Sequence, residues 1–214
     1  MKVAICIPSR DIVHAAFAFD LANLAAYWTA RNGAMGGSLH ILNSTGTLIA
    51  DQRVDLAKAA IDAGADWTLW LDTDMRFPKS ALDRLLAHDK EIVGCNYSTR
   101  VVPPEPTATA FKDGEWVKVY TKPDSTGLEP VDFLGFGVTL VKTDVFKRLE
   151  APWFHLGYST VNNKFIGEDM YFCLKAKEAG VSSFIDHDLS KEIRHIGSFE
   201  FRHEHITMPE MENG

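Results

Sequence analysis

One stretch of nine residues constrains this chain more than any other: Trp67-Thr68-Leu69-Trp70-Leu71-Asp72-Thr73-Asp74-Met75. Its first five residues read as a buried strand, and that strand runs straight into two carboxylates spaced i, i+2. In open α/β sheets, ligands gather at the carboxyl ends of strands. Charge at the rim of a core must be paired or must hold a metal. Oxygen-only ligands favour a hard cation such as Mg²⁺ or Mn²⁺. A metal held by so few protein oxygens commonly carries a phosphate as well. The plainer alternative is that Asp72 and Asp74 end the strand and cap the helix that follows.

Composition narrows the setting. A chain of 214 residues fits one domain or two small ones. Its 46% apolar and 24% charged residues are those of an ordinary globular protein with enough surface to bury a substantial core. The net charge of -7 argues against a broad electrostatic grip on nucleic acid, although a local basic patch is compatible with it. Cys6, Cys95 and Cys173 have no paired spacing and lie in apolar contexts, so they read as small core residues in a reducing compartment. Lys2 is followed by too short an apolar run for a signal peptide. The apolar segment from Ala15 to Ala30 carries Asp20 and Asn23 and is short for a membrane span. The expectation is a cytoplasmic protein.

In chain order, Val3 to Ile7 reads as a doubly buried strand that stops at Pro8-Ser9-Arg10-Asp11. Ser9 or Asp11 is placed to cap a helix over Ile12 to Arg31. Arg10, in this first strand-to-helix loop, is a candidate for a phosphate or a base, or for a surface ion pair with Asp11. Leu39 to Leu42 is a second strand. Asp51 is placed to cap a helix with Val54, Ala57 and Ile61 on one face, ending at Gly64. Pro78 fits the first turn of a helix reaching His88, and Ile92 to Cys95 is a fourth strand. Strand–helix alternation implies a parallel sheet with right-handed crossovers.

The pattern changes after Tyr97. Pro103-Pro104-Glu105-Pro106 excludes regular structure. Thr107 to Phe111 and Trp116 to Tyr120 read as a hairpin around Asp113-Gly114, and Lys122 to Glu129 is turn-rich. Gly135-Phe136-Gly137 opens a strand, and two glycines there imply close approach by another group. Trp153 is either a core aromatic or a stacking surface for a sugar or base. Gly167-Glu168-Asp169 opens a helix to Ala179. Acids suit that first turn, and a fixed carboxylate there also suits general-base work. His195 lies between Ile193 and Ile196, shortly before Gly197. It is either a satisfied core histidine or a ligand. His203-Glu204-His205 in the tail fits a solvated terminus better than a metal site.

Taken together, these pieces resemble a GT-A glycosyltransferase of the family-two type. The resemblance is carried by Ile7-Pro8-Ser9-Arg10, Leu71-Asp72-Thr73-Asp74, Gly135-Phe136-Gly137, Gly167-Glu168-Asp169 and His195-Ile196-Gly197. Each motif alone is weak, and their order and spacing carry the likeness from Val3 to Gly197. It implies a single-domain α/β fold with a mostly parallel mixed sheet flanked by helices. Residues 1–98 would be the nucleotide-sugar half, 99–197 the acceptor and catalytic half with a smaller antiparallel and loop region, and 198–214 a tail. It implies Mn²⁺ or Mg²⁺ on Asp74 and His195, with Asp72 on the metal or the ribose. It implies Asp169 as base, assisted by Glu168. Pro8, Ser9, Arg10, Arg53, Gly135, Gly137 and Trp153 would serve the nucleotide-sugar or acceptor, with Arg100 a weaker candidate. Arg53 sits in Gln52-Arg53-Val54, where relatives often show alanine-arginine-asparagine.

The donor implied is a nucleotide-diphosphate sugar, most often a uridine diphosphate sugar in such a family, and inversion is favoured over retention. The acceptor is left open among saccharide, protein and modified DNA base. A compact enzyme encoded by a virus of bacteria and acting in the host cytoplasm fits this size. Two rivals stand beside it. One is a haloacid-dehalogenase-like phosphatase or phosphotransferase, with Asp186-His187-Asp188 as its imperfect later acidic pair. The other is a non-catalytic sugar- or metal-binding module.

Overall fold

The computed structural model describes residues 1–101, 103–159 and 163–197. The first half runs β1 (Lys2–Ser9), α1 (Ala15–Asn32), a 3-10 turn, β2 (Ser38–Thr45), α2 (Ile49–Asp62), β3 (Trp67–Leu71), β4 (Met75–Arg76), α3 (Ala81–Ala87) and β5 (Ile92–Gly94). The second half begins with β6 (Thr109–Lys112), β7 (Glu115–Lys118), β8 (Leu128–Val131), β9 (Val138–Lys142) and α4 (Thr143–Arg148). It continues with β10 (Gly157–Ser159), β11 (Lys164–Ile166), α5 (Glu168–Glu178), β12 (Ser183–Asp186), α6 (His187–Ser190) and β13 (Arg194–His195).

Seven strands form the central sheet in the order β2-β1-β3-β9-β5-β12-β8. β1 pairs parallel with β2 and β3, and β5 pairs parallel with β12. β9 runs antiparallel between β3 and β5, and β8 is an antiparallel edge on β12. The protein is therefore α/β with a mixed, mostly parallel sheet, as strand–helix alternation predicts. The sheet draws strands from both halves of the chain, so no sheet boundary falls near residue 98.

Alternation along the strands builds two cores. Ala4, Cys6 and Trp70 face a layer containing Leu56 and Ala57 of α2, Phe146 of α4 and Phe172 of α5. Val3, Ile5, Leu69 and Leu71 face Phe17, Leu24 and Trp28 of α1 and Leu82 and Leu85 of α3. Trp70 centres the first core, with ring centroids 5.3 Å from Phe154 and 5.7 Å from Phe136. Its indole N–H donates to the Thr68 hydroxyl at 3.0 Å, so the large ring is buried without an orphaned donor. Trp70→Ala would cost about 3–5 kcal/mol through the cavity it leaves. All three cysteines are buried and free, as their apolar contexts predict.

Several boundaries differ from expectation. α1 starts at Ala15, not Ile12, and neither Ser9 nor Asp11 caps it; its N-cap is His14 with no side-chain bond. Ser9 is instead the last residue of β1, where its hydroxyl accepts from Asn43. Asp51 lies inside the first turn of α2, whose N-cap is Leu48. Pro78 precedes α3 rather than opening it. β2 extends from Ser38 to Thr45 because it pairs with the whole length of β1. The turn Asp113-Gly114 is as predicted, with φ of 53° and 87°. β8 and the β10–β11 hairpin were not foreseen, because each is short and owes its form to a partner strand.

Candidate functional site

The site is built where β1 and β3 end. The β1 terminus is pinned by the Asn43 amide, which donates to the Ile7 carbonyl and the Ser9 hydroxyl at 2.9 and 2.8 Å. Gln52 of α2 donates to the Ser9 carbonyl at 3.0 Å. Beyond β3, the Asp72 N–H donates to the Gly137 carbonyl at 3.1 Å, so the strand geometry persists one residue further. Alternation then puts Asp72 on the same face as Thr68 and Trp70, toward α2 and α5. Asp74 is held by the return of the chain's far end. Its carbonyl accepts from Ile196 N–H at 2.7 Å, and β13 pairs with β4 so that His195 lies opposite Met75.

A cavity of about 660 Å³ opens there. Pro8, Ser9, Arg10, Asp72, Asp74 and His195 all line it, together with Arg100 and Gln52. Asp74 Oδ2 is 2.8 Å from Arg100 Nη1 and 3.4 Å from His195 Nε2. His195 Nδ1 is 2.8 Å from the Ser98 carbonyl. A carbonyl only accepts, so Nδ1 carries the proton and Nε2 is the nitrogen that faces Asp74. The Asp74 partnership lifts the His195 imidazole above its ordinary value. Burial pushes Asp74 up, but hydrogen bonding and charge from His195 and the Arg100 charge outweigh it, leaving Asp74 below the usual carboxylate range.

Behind the cavity lies a charged cluster. The Arg53 side chain is 2% exposed. Its Nη2 donates to Asp72 Oδ1 and its Nε to Glu168 Oε1, both at 3.1 Å. Phe136 and Trp70 cover the guanidinium at 5.2 and 5.9 Å. Glu168 and Asp169 open α5 after Gly167. A side chain at position 167 would collide with Asp169 Oδ1, which accepts from Met170 N–H at 2.7 Å. Burial, then the Glu168 charge, push the Asp169 carboxyl up to about 6, against the pull of Arg53. Burial likewise raises Asp72, with Arg53 opposing it. Perturbed carboxylates beside a cavity are the usual marks of a working site.

Other sequence-predicted residues take different places. Arg53 does not reach the cavity surface; it lies under it, bound to two acids. Glu168 and Asp169 do not line the cavity either; Arg53 bonds Glu168 to Asp72, and only its charge reaches Asp169. Gly135 and Gly137 make room for Tyr97, whose hydroxyl a side chain at either position would meet and which accepts from Gly137 N–H at 3.0 Å. The close approach expected there is thus made by the protein's own tyrosine. Trp153 packs edge-on against Phe146 at 5.5 Å and donates to the Leu149 carbonyl, with its ring partly buried against the aromatic core. Sequence reasoning missed Tyr97 and Ser98, which seat His195; no motif marks them. His203-Glu204-His205 lies outside the described residues.

Among the described residues, no three His, Cys, Asp or Glu side chains form a ready metal cage. Two donors do face each other, Asp74 Oδ2 and His195 Nε2, and the Ser98 bond fixes the imidazole tautomer as metal-binding histidines require. That donor set fits a hard cation held by few protein groups and completed by water and ligand phosphates.

No protein-family model matches the sequence, and no curated protein matches it as a relative. Among solved structures, the chain is similar to A197 from STIV, with 15% identity and a TM-score of 0.53 over 96% of this chain and 100% of that one. It is also similar to a mutant Drosophila β1,4-galactosyltransferase 7 in complex with manganese, UDP-Gal and xylobiose, at 18% identity and TM-score 0.48 over 92% of this chain and 71% of that one. A third is S. aureus TarS 1-349, at 14% identity and TM-score 0.48 over 92% of this chain and 60% of that one. At 15% identity the first of these is a likeness of fold alone. Among the described residues, no helix is long and apolar enough to cross a membrane.

Proposed function

We propose that this chain is a metal-dependent glycosyltransferase. It moves a sugar from a nucleotide-diphosphate sugar, a uridine diphosphate sugar by the resemblance above, to an acceptor hydroxyl with inversion. One observation carries the reading: Asp72 and Asp74 from the end of β3 and His195 from the far end of the chain line one cavity with Pro8, Ser9 and Arg10. Arg10 and Arg100 supply positive charge for the diphosphate. Asp74 and His195 would hold Mn²⁺ or Mg²⁺, which when bound neutralises charge on the departing diphosphate. Asp169 is the acceptor-side base. A carboxyl raised to about 6 is still ionised at neutral pH, yet takes a proton more readily than an ordinary aspartate. Glu168 orients it.

The phosphatase alternative needs a second acidic pair free for metal. Asp186 instead accepts from Leu189 N–H and lies 2.9 Å from His88, and Asp188 accepts from Gly127 N–H. A panel of nucleotide-sugars, with and without Mn²⁺ and chelator, tests the proposal. Metal-dependent release of nucleoside diphosphate is expected; cleavage of phosphate esters with no such release would overturn it. Mass spectrometry of co-purified ligands would identify nucleotide and acceptor.

A further inference from the structure

The buried guanidinium of Arg53 does more than neutralise a neighbour. Nε and Nη2 form the edge of the fork that elsewhere grips one carboxylate with both nitrogens. Here that edge is divided. Nη2 takes Asp72, at the cavity wall, and Nε takes Glu168, at the start of α5. The two acids lie on β3's end and on α5, far apart in sequence, and Arg53 bonds to both. Its plane is held by Phe136, whose neighbour Gly137 accepts from Asp72 N–H. The third nitrogen, Nη1, is buried and has no partner among the described residues. A charge this deep is tolerated only when paired, and a guanidinium fork serves two directions where an ammonium serves one point.

We infer that Arg53 is a positioning residue that couples the cavity-wall carboxylate Asp72 to the α5 carboxylates Glu168 and Asp169, so that a displacement on one side is felt on the other. The catalytic consequence rests on the glycosyltransferase reading; the coupling itself does not.

The test combines a mutant cycle on the apo protein with steady-state kinetics. Thermal midpoints are measured for Asp72→Asn, Glu168→Gln and the double variant, each with Arg53 and with Arg53→Lys. The two losses should fail to add with Arg53 present and should add in Arg53→Lys. In turnover, Arg53→Lys should lower kcat at least 20-fold while KM for the nucleotide-sugar moves less than threefold. A merely structural arginine would lower the midpoint without that split. Additive losses in the Arg53 background overturn the inference, as does coupling with kcat unchanged in Arg53→Lys. A wild-type protein that turns over no nucleotide-sugar sinks the function reading alone, and the cycle then decides the coupling. Should Arg53→Lys fail to fold, the triple variant Arg53→Met/Asp72→Asn/Glu168→Gln removes the linked charges together and should melt above Arg53→Met. A midpoint no higher than Arg53→Met overturns the coupling.

Discussion

Two buried polar clusters in this molecule are built on opposite principles. Around His187 every valence is used. One ring nitrogen lies 2.9 Å from Glu129 Oε2, and the other lies 2.9 Å from the Thr121 hydroxyl. Asn96 extends the network, donating to the Val119 carbonyl and accepting from Ala108 N–H. One imidazole meets one carboxylate, and the network closes. Around Arg53 the sums do not close. A single cation faces Asp72, Glu168 and Asp169, one of its nitrogens is unpartnered among the described residues, and Asp169 is pushed up to about 6. The first cluster fastens the 119–129 segment to α6. The second stores electrostatic imbalance beside a cavity, as active sites do at a cost in stability.

The largest expected effect breaks this contrast most directly. Asp169→Asn should lower kcat by about 10³-fold, within the range for a lost general base. Calorimetry should find nucleotide-sugar binding within twofold of wild type. The same variant should be more stable at pH 7. Asp169 has a raised folded pKa, so its ionised form is disfavoured by the fold; the penalty is full above about 6 and absent below its unfolded value near 3.8. Removing it should gain on the order of 2 kcal/mol, read by chemical denaturation. A variant that transfers sugar normally, or that loses stability at pH 7, would place Asp169 in a balanced cluster like that of His187.

Next in size, Asp74→Ala and His195→Ala should each weaken Mn²⁺-dependent nucleotide-sugar binding about 10–100-fold in calorimetry. Binding that is equally tight in chelator would remove both from the metal site. The pH profile comes third. As pH falls through about 6, Asp169 takes up a proton and the base is lost, so kcat should fall about tenfold per unit below that point. An acid limb centred near 4 would mean that the carboxyl is not perturbed. The smallest effect on turnover belongs to His187→Ala. It should cost about 2 kcal/mol of stability by leaving Thr121 and Glu129 without their partner, with kcat changed less than threefold.

Much of the architecture was legible in the chain. Doubly apolar runs such as Val3 to Ile7 and Trp67 to Leu71 have one good home, the middle of a sheet covered on both faces, and the helices between them force parallel crossovers. Asp113-Gly114 marked its own turn. Motifs tied to strand ends were readable for the same reason: Ser9-Arg10 and Asp72-Thr73-Asp74 stand at the ends of parallel strands, and the sheet then pairs β1 with β3 so that they share a rim. Residues that depend on distant partners were not readable. Arg53 gave no sign that it would be buried, because its burial needs Asp72 and Glu168 to arrive from elsewhere in the chain. Gly135 and Gly137 announced a close neighbour but not Tyr97. Trp153 was open to two roles until Phe146 claimed its ring.

What the sequence by itself determined is the long strands and helices of the first half and the strand ends that carry the acids, because periodicity and local turn chemistry act over a few residues. Only the tertiary structure decided which charges meet. Pairing in a buried site is a matter of ångströms between groups up to 115 residues apart. At that range the desolvation of each group depends on all the others, and no local pattern records it.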